Sequence, residues 1–517
     1  MAKPLFRRGV MQDFLARTPS SSRWNRDKAA IFCFLALGVC VLQGCTVGPK
    51  YLRPTVPVPV AYKETAPQQA SDGSLWKSAQ PQDAARRGKW WEIFQEPELN
   101  DLESQLDLSN QNIAQAYELF MASRAQVREA RSAYFPTVAT TPAYSRFRTS
   151  QSTGQAKSSP VNPNSNQFLL PFNVSWEPDL WGRIRNTVRQ NSYAAQVSAA
   201  DLENQRLSEQ AHLAVYYFQL RGQDALEDVF QKAVEVDRQS LELTRVLYRT
   251  GLDNDESVAQ AEITLKSAEA SATNAAIARA QYEHAIALLI GKAASTFSIP
   301  VKPLATTAPA VPPGLPSELL QRRPDIAAAE RTIAEANTLI GVQTAAFYPT
   351  LTISGGAGLE SPTFSQWFTW PSRFWSVGPS FSETLFDGNL RRATVAKFTA
   401  LYNADVANYR QVVLTAFQQT EDSLAGLRLI GVQITQQHEA VRSAQRFYDL
   451  ATVRYKTGLD PYLNIFTAQA TLLSNQQIEI ALRTQQLTTS VQLIEALGGG
   501  WNVSRLPSER DVAVKAP

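Results

Sequence analysis

The 517-residue sequence predicts an α+β chain made by internal duplication, with two β-hairpins and two pairs of very long helices. Three observations carry the prediction. First, blocks recur in one order: NIAQAYELF…RSAYFPTV (Asn112 to Val138) returns 213 positions on as DIAAAERTI…QTAAFYPTL (Asp325 to Leu351), and DLWGRIR (Asp179 to Arg185) as LFDGNLR (Leu385 to Arg391). LYRTGLD (Leu247 to Asp253) then returns as RYKTGLD (Arg454 to Asp460), and LLIG (Leu288 to Gly291) as EALG (Glu495 to Gly498), the mark of a repeated unit. Second, no proline lies between Pro178 and Pro300 and a single glycine between Arg183 and Arg249, so that span can run as nearly continuous helix, about 100 Å at 1.5 Å per residue. Third, short segments near the prolines alternate apolar and polar residues with the period of a half-buried strand.

Composition sets the outer bounds. A 44% apolar, 19% charged chain with 10 Trp and 23 Phe can bury a large core. Of 50 basic and 47 acidic residues, seven basic and two acidic ones fall within residues 1–44, and the remainder is balanced at 43 against 45. That balance makes no case for nucleic acid.

Residues 1–44 read as a leader: a basic stretch precedes the apolar run Ala29 to Leu42, too short to span a bilayer and of signal-peptide length. The run stops at LQGC (Leu42 to Cys45), which resembles the bacterial lipobox, so Cys45 is expected to be acylated and to become the first mature residue. Two or three acyl chains anchor a protein stably where one does not. Thr46 is not the Asp that retains lipoproteins in the inner membrane, which points outward. Removal of Cys33 and Cys40 with the leader would leave no disulfide partner. The Pro-rich residues 45–88 read as an extended strap.

The first repeat, residues 89–299, is expected to carry strands at 137–149 and 167–178 around a polar loop from Thr149 to Asn166, then a helical hairpin over 183–290 with its tip at 250–256. Its second strand sets Phe168, Leu170, Phe172, Val174 and Trp176 against Asn173, Ser175 and Glu177. Residues 300–324 hold seven prolines and read as a linker. The second repeat, 325–501, is expected to have strands at 350–361 and 374–386, with Phe364, Trp367, Phe368 and Trp370 in the loop between. A hairpin over 389–497 follows, with its tip at 457–463, and 502–517 form a tail. Along the long helices Leu202, Leu213, Tyr216 and Leu220, like Val406, Val413, Phe417 and Leu424, recur at heptad-like spacing, which suits helices packed as a coiled-coil wall.

Both long helices stop at TGL, where Gly251 and Gly458 can supply a left-handed cap. The next helix starts at once, with Asp253 expected to cap it and Glu256 to close a capping box in one copy. In the other, Asp460 is expected to cap, with Pro461 at the first helical position.

Beyond residue 45 no window of 18 apolar residues occurs. A sheet that crosses a membrane must close on itself, because unpaired edges are not satisfied in lipid. Four strands cannot close, since the smallest such barrels have about eight. Strand arithmetic therefore permits a dimer with eight strands or a trimer with twelve.

CTVGPKYLRP (Cys45 to Pro54), DLWGRIR, RTGLD, LPSELLQRRPDIAAAE (Leu315 to Glu330), AAFYPTL, LFDGNLRRA, YKTGLDPYL and ALGGGW (Ala496 to Trp501) together resemble the outer membrane factors, the TolC-like exit ducts of tripartite efflux pumps, in their NodT-type lipoprotein branch. The resemblance implies a homotrimer with a twelve-stranded transmembrane β-barrel in outer-membrane lipid and a long coiled-coil α-helical barrel in the periplasm. It also implies a periplasmic adaptor and an inner-membrane RND-type pump as partners, multidrug efflux as the process, and passive conduction without enzymatic chemistry or any cofactor beyond the lipid on Cys45. Metal-ion efflux, type I protein secretion, or a non-conducting envelope-spanning scaffold are the alternatives.

On that resemblance Thr250, Gly251, Leu252, Thr457, Gly458 and Leu459 are the adaptor-docking tips. Asp253, Asp255, Glu256, Leu463 and Thr467 are the candidate periplasmic gate. An acidic ring favours cations. Related ducts place an Asp and an Arg where this sequence has Thr467 and Ala470, so closure is expected to lean on Leu463 and the acidic first copy. His212, His284 and His438 lie far apart without an HExxH spacing, Gly355, Gly356 and Gly358 fall inside a strand, and Gly498 to Gly500 follow a helix end. These make no metal or phosphate site.

Overall fold

A computed structural model describes residues 46–64, 89–148, 164–312, 314 and 316–514. Cys45, the leader, residues 65–88 of the expected strap and residues 149–163 of the first loop lie outside the described residues. Two compact units emerge, one of helices and one of sheet.

The helical unit comprises, among the described residues, 48–64, 89–135, 186–312, 314, 316–344 and 385–514. In chain order the helices are α1 (Pro97–Ser109), α2 (Gln111–Ser132), α3 (Arg183–Arg249), α4 (Asp255–Leu289), α5 (Leu319–Arg322), α6 (Pro324–Ala345), α7 (Leu390–Lys456), α8 (Tyr462–Ala496) and α9 (Glu509–Ala513). The duplication is metric as well as textual: α3 and α7 each have 67 residues, and α4 and α8 each have 35. At 1.5 Å per residue the members of each hairpin extend about 100 and 50 Å. None of the described helices is apolar enough to cross a membrane.

Each return helix is tied down in the same way. Asn110, the N-cap of α2, accepts from the Ile113 N–H at 3.0 Å and donates to the Leu289 carbonyl at 2.8 Å. At the matching place in the second copy Arg323 donates to the Ala496 carbonyl at 3.0 Å. Here a guanidinium meets a helix C-terminus, where the dipole favours a cation.

The largest core cluster gathers Trp90, Trp91, Phe94, Leu99 and Leu106 against Leu213, Tyr217 and Phe218 of α3. Beside it Arg221, itself buried, pairs with Glu98 and, at 2.7 Å, with Asp224. Asp224 also takes Arg279 of α4 at 2.6 Å and the Lys302 N–H at 3.1 Å, so the Pro-rich linker is pinned to both long helices of the first hairpin. Removing one member of such a buried network leaves an uncompensated charge, which is why it holds together. Residues Gly48 to Glu64 have no regular structure and run along helices as a strap. Asn337 donates to the Pro49 carbonyl at 3.0 Å, Tyr51 bonds Glu330, and Glu64 receives Arg428 at 2.6 Å. The expected tail is ordered as α9, with a Ser508/Asp511 capping box and Val512 buried against Val127 and Ala195.

The sheet unit comprises, among the described residues, 46–47, 136–148, 164–185 and 345–384. Its strands are β1 (Thr137–Thr140), β2 (Ala143–Arg148), β3 (Asn164–Trp176), β4 (Thr350–Ser361) and β5 (Arg373–Ser382). They pair antiparallel in the order β1-β3-β4-β5, with β2 also on β3. Several boundaries differ from the sequence expectation, β3 ending at Trp176 rather than 178 and β5 beginning at Arg373 among them. The strand expected at 137–149 is interrupted at Thr141 and Pro142, although one register continues from Thr137↔Ser175 to Arg148↔Asn164, because prolines at 142 and 171 withhold ladder N–H groups. Asn164 to Asn166, expected in the loop, open β3 by pairing with β2. The strand expected at 374–386 ends at Ser382, and Leu385 and Phe386 lie exposed beyond it.

Directly opposed residues of an antiparallel pair share a face. The register therefore collects Val138, Phe168, Leu170, Phe172, Val174, Ile353, Leu359, Trp375, Val377 and Phe381 on one side, and Ser145, Asn173, Ser175, Thr352, Ser354 and Ser376 on the other. Trp375 is 78%, Val377 69% and Val138 67% exposed, so among the described residues much of this face is bare, although Phe364 and Trp367 of the β4–β5 loop pack on Phe168. The β1–β2 side and β5 are open edges.

Candidate functional site

The hairpin tips are built identically from TGL. In the first, the Gly251 N–H donates to the Tyr248 carbonyl at 3.0 Å and the Leu252 N–H to Leu247 at 2.9 Å. In the second, Gly458 donates to Tyr455 at 2.8 Å and Leu459 to Arg454 at 2.9 Å. This is the 6→1, 5→2 helix stop that needs a left-handed residue, and φ is 74° at Gly251 and 75° at Gly458. The Thr250 and Thr457 hydroxyls bond back to carbonyls of their own helices, at 2.9 Å to Leu247 and 3.0 Å to Arg454. What each tip presents outward is therefore leucine: Leu252 is 77% and Leu459 70% exposed.

Both expected caps are corrected by side chains that sequence alone could not place. Asn254, not Asp253, caps α4, accepting from the Ser257 N–H at 2.9 Å. Asp253 accepts from the Asn254 N–H and the Ser257 hydroxyl, both at 2.8 Å, and turns its other oxygen to the Tyr455 hydroxyl at 2.9 Å, so it joins the two hairpins. Glu256 is exposed and closes no capping box among the described residues. In the second copy α8 begins at Tyr462 with Pro461 in the cap position. Asp460 is instead gripped by Arg454 at 2.6 and 2.9 Å, which holds its carboxyl below the usual range.

Inward from the tips, residues 237, 240 and 244 form one stripe on α3, each meeting the second hairpin. Thr244 lies 3.5 Å from the Tyr455 hydroxyl, Ser240 donates to the Tyr462 hydroxyl at 3.2 Å, and Asp237 accepts from Gln469. Burial pushes the Tyr455 hydroxyl up to about 12, and burial raises Asp237 as well. Around this polar stripe pack Val234, Leu241, Leu265 and Ile465. Tyr455, Tyr462, Asp237 and Gln469 were not singled out in the sequence. Asp237 offered a signal, a carboxylate between Val234 and Leu241 in an apolar stripe. Asp255, Glu256, Leu463 and Thr467 are exposed, and among the described residues no bond joins Asp255 or Glu256 to the second hairpin. Thr467 bonds back to the Leu463 carbonyl at 2.9 Å.

The second residue after Cys45 is held in the sheet unit. The Val47 N–H donates to the Trp181 carbonyl at 3.1 Å, Trp181 donates to the Pro349 carbonyl at 2.8 Å, and its ring stacks on Tyr348 at 4.8 Å. The DLWGRIR and FYPT motifs thus meet each other.

A sheet with one largely bare apolar face, joined in sequence to two hairpins of helices about 100 and 50 Å long, fits a channel-forming protein of the bacterial outer membrane. The chain belongs to the outer membrane efflux protein family, whose profile matches residues 102–292 and 315–499, one segment for each repeat. It is 30% identical over 486 residues to TtgC of Pseudomonas putida, a probable efflux pump outer membrane protein, covering 93% of this chain and 98% of TtgC. The same figures relate it to ArpC of Pseudomonas putida, an antibiotic efflux pump outer membrane protein. Its fold superposes on the outer-membrane channel OprN with a TM-score of 0.78 at 28% identity, covering 88% of this chain and all of that one.

Proposed function

We propose that this chain is the outer-membrane exit duct of a tripartite drug efflux system, working as a homotrimer that passes outward what a periplasmic adaptor and an inner-membrane RND-type pump deliver. The register of the sheet carries this reading. It puts most of the large apolar residues on one face and a mainly small and polar set on the other, with Phe147, Leu169 and Phe374 as exceptions, as suits a barrel wall between lipid and water, while leaving two edges open. With β1 and β2 counted as one strand interrupted at Pro142, each chain has four, and three copies supply twelve strands and no edge. The exposed Leu252 and Leu459 at the tips suit an apolar docking contact with the adaptor. Cys45 carries the lipid anchor, and the duct performs no chemical step.

At rest the tips hold the duct closed through the Asp253–Tyr455 bond, with Leu463 and Thr467 narrowing the passage and Asp255 and Glu256 favouring cations. The test is conductance in planar bilayers, with native mass spectrometry of the same preparation. The wild type should be a trimer of low, cation-preferring conductance, and Tyr455→Phe, which removes one interhelical bond of about 1 kcal/mol, should conduct more. A monomer with full channel activity would sink the reading.

A further inference from the structure

The two open edges of the sheet carry arginine at the same end and on the same face. On β2, Arg146 and Arg148 stand opposite Asn166 and Asn164, and on β5 Arg373 stands opposite Leu359. By the pairing rule for opposed residues, all three share the apolar face with Phe168, Leu170 and Trp375. The end is the one where residues 149–163 and 362–372 connect the strands, because Phe168 pairs with Ser361. The long helices join the strands at the other end, after Trp176 and Ser382.

All three arginines are exposed, and among the described residues none is in an ion pair. Within the strands this face holds no acid. Glu360 lies on the opposite face, paired with Leu169 and bonded to Gln167 at 2.8 Å. Arg373 lies over the Trp370 ring and donates to the Trp370 carbonyl at 3.1 Å. A cation on the lipid side of a barrel is costly at mid-bilayer and nearly free at the interface, so this end belongs at headgroup level. Closing the barrel sets β5 of one copy beside the β1–β2 edge of the next and adds a third positive charge to a pair. Like charges on adjoining strands repel, unless an anion lies between them.

We infer that Arg373 of one copy and Arg146 and Arg148 of its neighbour form a phosphate-binding cleft at the outer rim. Its occupant is the phosphorylated headgroup of an outer-leaflet glycolipid, with the acyl chains lying along Phe168, Leu170 and Trp375. Guanidinium groups bind phosphate oxygens in pairs, which suits arginine to this place. The inference rests on the trimeric, membrane-inserted reading above.

The test follows thermal unfolding of the purified trimer against diphosphorylated lipid A, the same lipid without phosphates, and inorganic phosphate, with conductance measured on each preparation. Diphosphorylated lipid A should raise the midpoint of the wild type at a concentration at least tenfold lower than it does for the variant Arg146→Gln/Arg148→Gln/Arg373→Gln, which should still conduct. An equal response to the dephosphorylated lipid, or to inorganic phosphate alone, would overturn the headgroup site, as would an unchanged response of the variant. Wild type that conducts without preferring the phosphorylated lipid sinks this site alone, whereas wild type that neither trimerises nor conducts sinks the duct reading and the site with it.

Discussion

Glu103 sits in α1 with its side chain fully buried and, among the described residues, neither carboxylate oxygen hydrogen-bonded. Burial, with Asp107 nearby adding to it, raises its carboxyl well above the ordinary value. A raised folded-state pKa means that the folded protein binds a proton the unfolded chain has already released. The contribution is fully present below about 4.3, the unfolded value, and is lost as pH rises through the folded one. Glu103→Gln should therefore raise the unfolding midpoint more at pH 8 than at pH 5, and an equal gain at both would show that Glu103 is ionised in the fold. Nothing in the sequence marked Glu103, since its partners are chosen by packing. Gly251 and Gly458, in contrast, were legible because only a left-handed residue ends a helix in that way. Asp253 was half legible: its place in the turn is local, but the Tyr455 hydroxyl that claims it lies 202 positions away.

At the scale of elements, glycine does two different jobs in the repeats. At Gly458 a Cβ would meet nothing within 4 Å, so Gly458→Ala should cost only the backbone strain of positive φ, roughly 1–2 kcal/mol. At Gly498 a Cβ would fall 2.1 Å from the Arg322 carbonyl oxygen, in the joint where α8 returns onto the α5–α6 turn. Gly498→Ala should thus lower the thermal midpoint clearly more than Gly458→Ala, and equal losses would show that the joint yields. The long helices were readable from missing prolines and heptad spacing. Leu202, Leu213, Leu220, Val413 and Leu424 are buried, while Tyr216, Val406 and Phe417 are only partly so. Strand ends were less readable, because pairing, not propensity, decided that Asn164 to Asn166 extend β3 and that Glu383 to Phe386 do not extend β5.

The whole molecule is a duplicated chain whose halves share one sheet, since β3 of the first repeat pairs with β4 of the second from Phe168↔Ser361 to Trp176↔Ile353. Half a sheet from each repeat leaves its apolar face largely bare, and so does the whole sheet of one chain, which is what the proposed assembly in lipid would cover. On the proposed reading, insertion does not depend on a lipid at Cys45. Cys45→Ser should lose label from a palmitate analogue yet still reach the outer membrane and conduct. Retained label would refute the lipidation site, and loss of the trimer would show that the anchor is needed for assembly.

The sequence by itself determined the duplication, the long helices, the left-handed tips and the two-faced strands, because each follows from local backbone preference or from a period read within one segment. Only the tertiary structure decided that most apolar strand positions fall on one face while Phe147, Leu169 and Phe374 fall on the other, that Asp253 locks to Tyr455, that Trp181 stacks on Tyr348, and that Asp237 and Glu103 are buried. Each of these depends on which distant residues arrive beside one another, and a period within one segment carries no record of its partner.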